Sequence, residues 1–260
     1  MEDRKQKEIE YYDKKSEEWL KEKKNQQTDF EGFTPTLLSS YNFLYQILEK
    51  NCQGKKVLDY GCGNGIHSVF PAKCGAEIIG IDLSAKSLEI ARERAKKERV
   101  EDKVKFLLMD CEKMDFPDNY FDIILNGGTF SSLDLNKVYP ELLRVLKPDG
   151  ILLGIETFGH NPFTNFKRKI NKIRSKRTSW AAEHIFNQKD LDKAKDYFNK
   201  IEVHYFHLIS WLAFPFLSLP GGKILLKILE FKDRILLGVP SFKKWAFKIV
   251  FIFSKPKKYG

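Results

Sequence analysis

The chain has 260 residues, of which 42% are hydrophobic and 31% charged, and its formal net charge is +10. That length suits one large α/β domain or a core domain with a cap, and the composition excludes a disordered polar chain. Its four cysteines, at 52, 62, 74 and 111, include no C-x-x-C pair, which excludes a zinc knuckle or dithiol redox motif and leaves free thiols in a reducing cytosol. No metal site is expected.

The first residues, MEDRKQKEIEYYDKKSEEW, are highly charged with no apolar run, so a secretory leader is not expected and a cytoplasmic location is. Residues 4–24 read as a helix with Ile9, Tyr12, Ser16, Trp19 and Lys23 on one face. TDFEGFTP (28–35) is a loop, and Pro35 opens a second helix to about residue 50. KVLDYG (56–61) is a buried strand that turns at glycine, followed by a helix over 64–74. Strands at 77–83, 104–110 and 120–128 and helices at 85–98 and 135–150 continue the alternation. A fifth strand spans 150–157, a helix 187–200 with Asn187 as N-cap, a sixth strand 200–209 and a seventh 245–256. Short apolar strands alternating with helices predict a Rossmann-like α/β fold, a mostly parallel seven-stranded sheet with helices on both faces. Three segments stand outside this alternation: an N-terminal arm (1–35), an insert (158–186) and an apolar stretch (205–244). Ligands of such sheets sit beyond the carboxyl ends of the strands, so these segments are expected to cap the active site of a single domain, 1–260, around a core at 36–158.

VLDYGCGNG (57–65) carries the first chemical signal. A strand, a glycine turn and a helix aim backbone N–H groups at a ligand. The spacing is G-x-G-x-G, and Ile66 stands where a dinucleotide fingerprint has its third glycine; no G-K-[ST] follows, so a Walker A loop is excluded as well. The next strand ends at Asp82, in GIDLS, where an acid can accept hydrogen bonds from two ribose hydroxyls. The third ends at Asp110, in LMDCEKMDF, where a carboxylate can accept from the exocyclic amine of a base.

These motifs, in this order, resemble class I S-adenosylmethionine (SAM)-dependent methyltransferases of the small-molecule type, including those of quinone and polyketide pathways. The likeness covers about residues 40–158 and extends more loosely to the last two strands. It implies that Gly61, Gly63 and Gly65 approach the methionine part of SAM, that Asp82 is the ribose acid, that Leu83 lines the cofactor, and that Asp59 and Cys62 belong to the cofactor site. It also implies that Asp110 and Cys111 lie beside adenine, that Asn126 and Gly127 border the methyl group, and that Ile66 lines the cofactor. Tyr12, next to Tyr11, is expected to close over the cofactor, as similar tyrosines do in the family. The expected reaction is an in-line displacement that leaves S-adenosylhomocysteine.

NGGTFSS (126–132) lacks the N-P-P-[YF] pattern of amino-group methyltransferases, and no Pro-Cys pair marks a cytosine-C5 nucleophile. The pattern instead resembles that of small-molecule methyltransferases, and the leading expectation is an apolar or lipid-linked small molecule as acceptor, modified at oxygen. Oxygen needs a base, and the candidates are His184, in TSWAAEHIFNQKDL, and Glu156 and His160, just past the fifth strand; His67 is expected to be structural.

Basicity is concentrated in two segments. Residues 161–179 hold seven Lys or Arg and no acid, and residues 204–260 hold ten against two acids. Such blocks suit a solvated face, an acidic substrate or an anionic membrane. KILLKILEFKDRILL (223–237) reads as an amphipathic helix that either covers the pocket or touches a membrane surface. An RNA methyltransferase using RKINKIRSKR (168–177) is a competing expectation, although no RNA-binding module is recognisable; a non-catalytic SAM-binding protein docked on membranes is another.

Overall fold

In a computed structural model of the protein, residues 2–23, 37–161, 165 and 178–258 are described. The loop with Pro35 and the basic run 168–177 lie outside them. The elements in chain order are helix α1 (Asp3–Lys23), α2 (Ser39–Asn51), β1 (Lys56–Tyr60), α3 (Ile66–Lys73), β2 (Glu77–Asp82), α4 (Ala85–Lys97), β3 (Val104–Leu108) and β4 (Phe121–Asn126). They continue with α5 (Leu135–Val145), β5 (Leu146–Thr157), α6 (Ser179–Glu183), α7 (Gln188–Ala194), β6 (Phe198–Phe206), α8 (Gly222–Leu236), α9 (Pro240–Lys243) and β7 (Lys248–Pro256).

The seven strands form one sheet in the order β3-β2-β1-β4-β5-β7-β6. The five strands from β3 to β5 are parallel neighbours, and β7 is antiparallel to both β5 and β6. β6 therefore runs in the same direction as β5. The order reverses between β1 and β4, which opens a crevice at the carboxyl edge, where such sheets bind ligands.

Each face of the sheet carries its own apolar layer, as strands buried on both sides require. One layer joins Leu44 and Leu48 of α2, Ala72 of α3 and Leu88 and Ala91 of α4 to Val57, Leu125 and Leu153. The other joins Val138 and Leu142 of α5 and Leu191 of α7 to Leu58, Ile124 and Leu152. Phe251 is fully buried there and stacks on Phe130, Phe186 and Phe253. Burying one such ring contributes about 1.5–3 kcal/mol. A methyl group on Gly154 would strike the Phe251 ring, so a glycine in mid-strand makes room for it.

Several element boundaries differ from expectation. α5 stops at Val145 and β5 begins at Leu146, because the Arg144 and Val145 carbonyls accept from the Asn119 and Tyr120 amides. The Lys147–Gly150 stretch then forms an irregularity in the strand, where the β4–β5 register shifts between Phe121 and Ile123. α7 ends at Ala194 rather than near 200, although Asn187 caps it as expected, in a capping box with Asp190. β6 ends at Phe206: His207 has φ +61° and points its ring inward, between the hydroxyls of Ser40 and Ser210 at 2.9 Å each.

Candidate functional site

A cavity of about 320 Å³ lies beyond the carboxyl ends of β1, β2 and β4. Its wall contains Gly61, Cys62 and Gly63 from the glycine turn, then Ile66 and His67 from the start of α3. Asp82 and Leu83 follow β2, Asp110 and Cys111 follow β3, and Gly127 follows β4. Ile9, Tyr12, Ser16 and Trp19 of α1 close it from above. The thin apolar stripe of that otherwise charged helix is thus the cavity's roof. Gly65 is not on the wall; it caps α3, packed against Ala91 and Phe106.

The turn has the backbone that only glycine adopts freely. Gly61 has φ +66°, and a Cβ there would collide with Thr129. Gly63 has φ +51°, but nothing lies within 4 Å of where its Cβ would be, so it faces open space. Its N–H donates to Oδ2 of Asp82 at 2.9 Å, and the Ser84 N–H donates to Oδ1 at 2.9 Å. Burial raises the Asp82 pKa, while the backbone donors of Ser84, Gly63 and Leu83 oppose the rise. Each carboxylate oxygen keeps acceptor capacity for a hydroxyl.

α1 is fastened over the cavity by polar contacts. Ser16 and Ser87 share a hydrogen bond at 2.9 Å, and the Ser84 hydroxyl donates to Asp13 at 2.6 Å. At the other end, Lys5 reaches Asp110 Oδ2 at 2.6 Å and Glu112 Oε2 at 2.9 Å, and Arg4 pairs with Glu112. Burial opposes the Lys5 ammonium, but its bonds to Asp110 and Glu112 prevail and raise its pKa. Asp110, expected to meet an adenine amine, thus already holds a lysine, while its Oδ1 accepts from the Glu112 N–H.

Several expected residues lie behind the wall rather than on it. Asp59 is 1% exposed and accepts from the Ser68 hydroxyl below the turn. Asn126 is fully buried; it accepts from the Thr129 N–H and donates to Glu156 Oε1, both at 3.0 Å. Glu156, a candidate base, is 1% exposed and accepts from Asn126 and, at 2.8 Å, from the Phe130 N–H. It holds the loop after β4 from beneath and does not line the cavity. The other two candidate bases also lie off the wall. His160 is exposed and its Nε2 accepts from the Gln188 N–H at the start of α7. His184 is exposed and stacks on Trp180, ring centroids 3.7 Å apart.

His67, expected to be structural, is packed in the core and also reaches the cavity wall. Its Nδ1 is 2.9 Å from the Tyr45 hydroxyl, its ring stacks on Tyr41, and its edge closely approaches Gly127. Burial, with Lys248 and Arg94 nearby, lowers its pKa to about 4, so the ring is neutral near pH 7. Its position two residues after the glycine turn was the only signal for it in the sequence.

A family described as a methyltransferase domain matches residues 51–232. The chain belongs to that family. Among curated proteins, it is 39% identical over 111 residues to the methyltransferase GfsG of Streptomyces halstedii, covering 42% of this chain and 40% of that protein. It is 42% identical over 123 residues to the sterol 24-C-methyltransferase ERG6B of Gibberella zeae, covering 46% and 32%. The chain therefore spans about a third to two fifths of the length of these relatives. Among solved structures, geranyl diphosphate C-methyltransferase from Streptomyces coelicolor, crystallised with S-adenosyl-L-homocysteine, shares the fold at a TM-score of 0.59 and 19% identity, covering 83% of this chain and 79% of that one.

SAM is the cofactor of this family, and the residues present fit it. An open Gly63 stands beside the half-buried Asp82 carboxylate, which faces the cavity, and Cys111 and Leu83 give it apolar walls for a base.

Proposed function

We propose that the protein is a SAM-dependent methyltransferase acting on an apolar or lipid-linked small molecule. One observation carries this: a single cavity gathers Gly63, Asp82, Asp110, Cys111 and Gly127 from four strand ends. Gly61 and Gly63 would receive the methionine part, Asp82 the ribose and Cys111 the base. When bound, SAM supplies an electrophilic sulfonium methyl group. The chain supplies the rest: the turn and Asp82 orient the cofactor, and α1 keeps water out.

Modification at oxygen requires a proton acceptor, and the position of His67 supports that role: it reaches the cavity wall beside Gly127, with Tyr45 at its Nδ1, although burial makes the ring a weak base. Carbon is the second reading, favoured by the relatives named as C-methyltransferases. Acceptors of this kind partition into bilayers, so peripheral contact with a membrane belongs to the same function.

Isothermal calorimetry tests the central reading. SAM and S-adenosylhomocysteine should bind the intact protein, and Gly63→Arg or Asp82→Ala should weaken binding at least about a hundredfold, the loss expected when a buried pairing or the cradle itself is removed. No binding by the intact protein would refute it.

A further inference from the structure

β6 runs with β5, so the chain leaves the sheet at Phe206 on the same edge where the cavity opens, and returns to it at Lys248. The excursion between them carries α8, and it is apolar on the outside. Ten of the twelve exposed large hydrophobic residues among those described lie between Leu212 and Trp245. On α8, Ile224, Ile228, Phe231 and Ile235 recur at helical spacing and are 50–66% exposed. The opposite face, with Leu226, Asp233 and Leu237, is buried. The expected cover for the pocket is thus not what this stripe provides: α8 lines none of the cavity.

Charge is sorted by sign across the same helix. Lys223, Lys227 and Arg234 flank the apolar stripe on one side and Lys232 on the other, all exposed. Both acids turn inward. Asp233 is 4% exposed and accepts from the Ile209 and Ser210 N–H groups, and Glu230 accepts from the Ser39 N–H at 2.8 Å. Lys244 lies over the Trp245 ring, 5.1 Å from its centroid, adding a cation above an exposed indole. An apolar stripe rimmed by cations alone is the pattern of a helix that lies in the headgroup region of a bilayer, with its cations on lipid phosphates. No helix among the described residues is long and apolar enough to cross one.

We infer that the face built on Ile224, Ile228, Phe231 and Ile235 docks on an anionic lipid surface and turns the substrate edge of the sheet toward it. This names the partner of the proposed methyltransferase and rests on that reading for its purpose, but not for its test.

The experiment is co-sedimentation with vesicles of phosphatidylcholine and with vesicles of equal phosphatidylcholine and phosphatidylglycerol, at low and high salt. The intact chain should sediment with the mixed vesicles, and binding should fall with salt. Ile228→Asp/Phe231→Asp should weaken that binding roughly tenfold or more, and Lys223→Glu/Lys227→Glu by a similar factor. All these residues are exposed, and SAM affinity measured on the same samples should be unchanged. Failure of the intact chain to bind mixed vesicles, equal binding to both vesicle types, or unaltered binding by the Asp variant would overturn the inference. So would a concentration-dependent dimer, dispersed by the Asp variant, in a protein that ignores vesicles. Each of those results leaves SAM binding intact, whereas loss of SAM binding by the unaltered chain strikes the methyltransferase reading instead.

Discussion

Lys5, in the first turns of the N-terminal helix, donates to Oδ2 of Asp110 at 2.6 Å, more than a hundred residues further along the chain. The acid that closes β3 is thereby tied to the roof of the cavity, and the cavity's shape depends on that tie. Lys5→Glu should release the front of α1 and set a like charge against Asp110 and Glu112. We expect SAM affinity to fall roughly tenfold, within the range for a partly buried charge pair, and α1 to become susceptible to limited proteolysis. Unchanged affinity and unchanged cleavage would show that α1 is held by its other contacts alone.

Glu156 is a support for the loop after β4. Replacing it with Ala strands two buried donors, the Asn126 amide and the Phe130 N–H. Each unsatisfied donor costs about 1–3 kcal/mol, so Glu156→Ala should lower unfolding stability by about 2–5 kcal/mol, read from urea denaturation. Gln, which keeps one acceptor oxygen, should recover part of it. A stable Ala variant with abolished turnover would restore Glu156 to a chemical role.

Asp59 makes stability depend on pH. Burial pushes its carboxyl up to about 7 from an ordinary 3.8, against the lowering bond from Ser68. Between those values the folded protein keeps a proton that the unfolded chain has lost, so this group's contribution falls as pH rises from about 4 to 7. His67 and His207, lowered by burial to about 4 and about 3, act in the opposite sense, and their contribution is lost as pH falls below their ordinary 6.5. Asp59→Asn isolates the first effect, because both histidines remain. Relative to the variant, the unaltered protein should lose stability from pH 4.5 to pH 7.5, and parallel pH profiles would contradict the assignment.

The histidines separate chemistry from packing. His184→Ala and His160→Ala should leave turnover within about threefold, since neither ring lines the cavity. His67→Gln should keep SAM affinity and lower turnover at least about tenfold if the acceptor is oxygen, in line with removal of a general base. Loss of turnover in the His184 variant alone would reverse this order.

The cofactor half of the molecule was legible because its signals are local. A glycine turn, an acid at a strand end and apolar runs of strand length each follow from neighbouring residues, and the strands line up the rest. The acceptor half was not. Glu156 and Asn126 look like surface groups in sequence, and only the pairing of β4 with β5 puts them face to face in the core. The role of Lys5 depends on a contact with residues more than a hundred positions away. The inward turn of Asp233 is equally invisible, since it accepts from a backbone segment about two dozen residues before it. The amphipathic pattern of 223–237 was plain, but a helical period does not say which of two apolar sides meets the protein.

Phe206 and Lys248 are paired neighbours in the sheet, so the excursion between them leaves and re-enters the fold at one point. Its two ends can be joined by a short connection without moving the register of any strand. None of His207–Phe247 lines the cofactor cavity, but its inner side is built into the fold: Ala213 and Leu226 belong to the core, and His207 and Glu230 hold Ser40 and Ser39 at the start of α2. In design terms the outer surface of the excursion can be rewritten, provided that its inward contacts to α2 are kept.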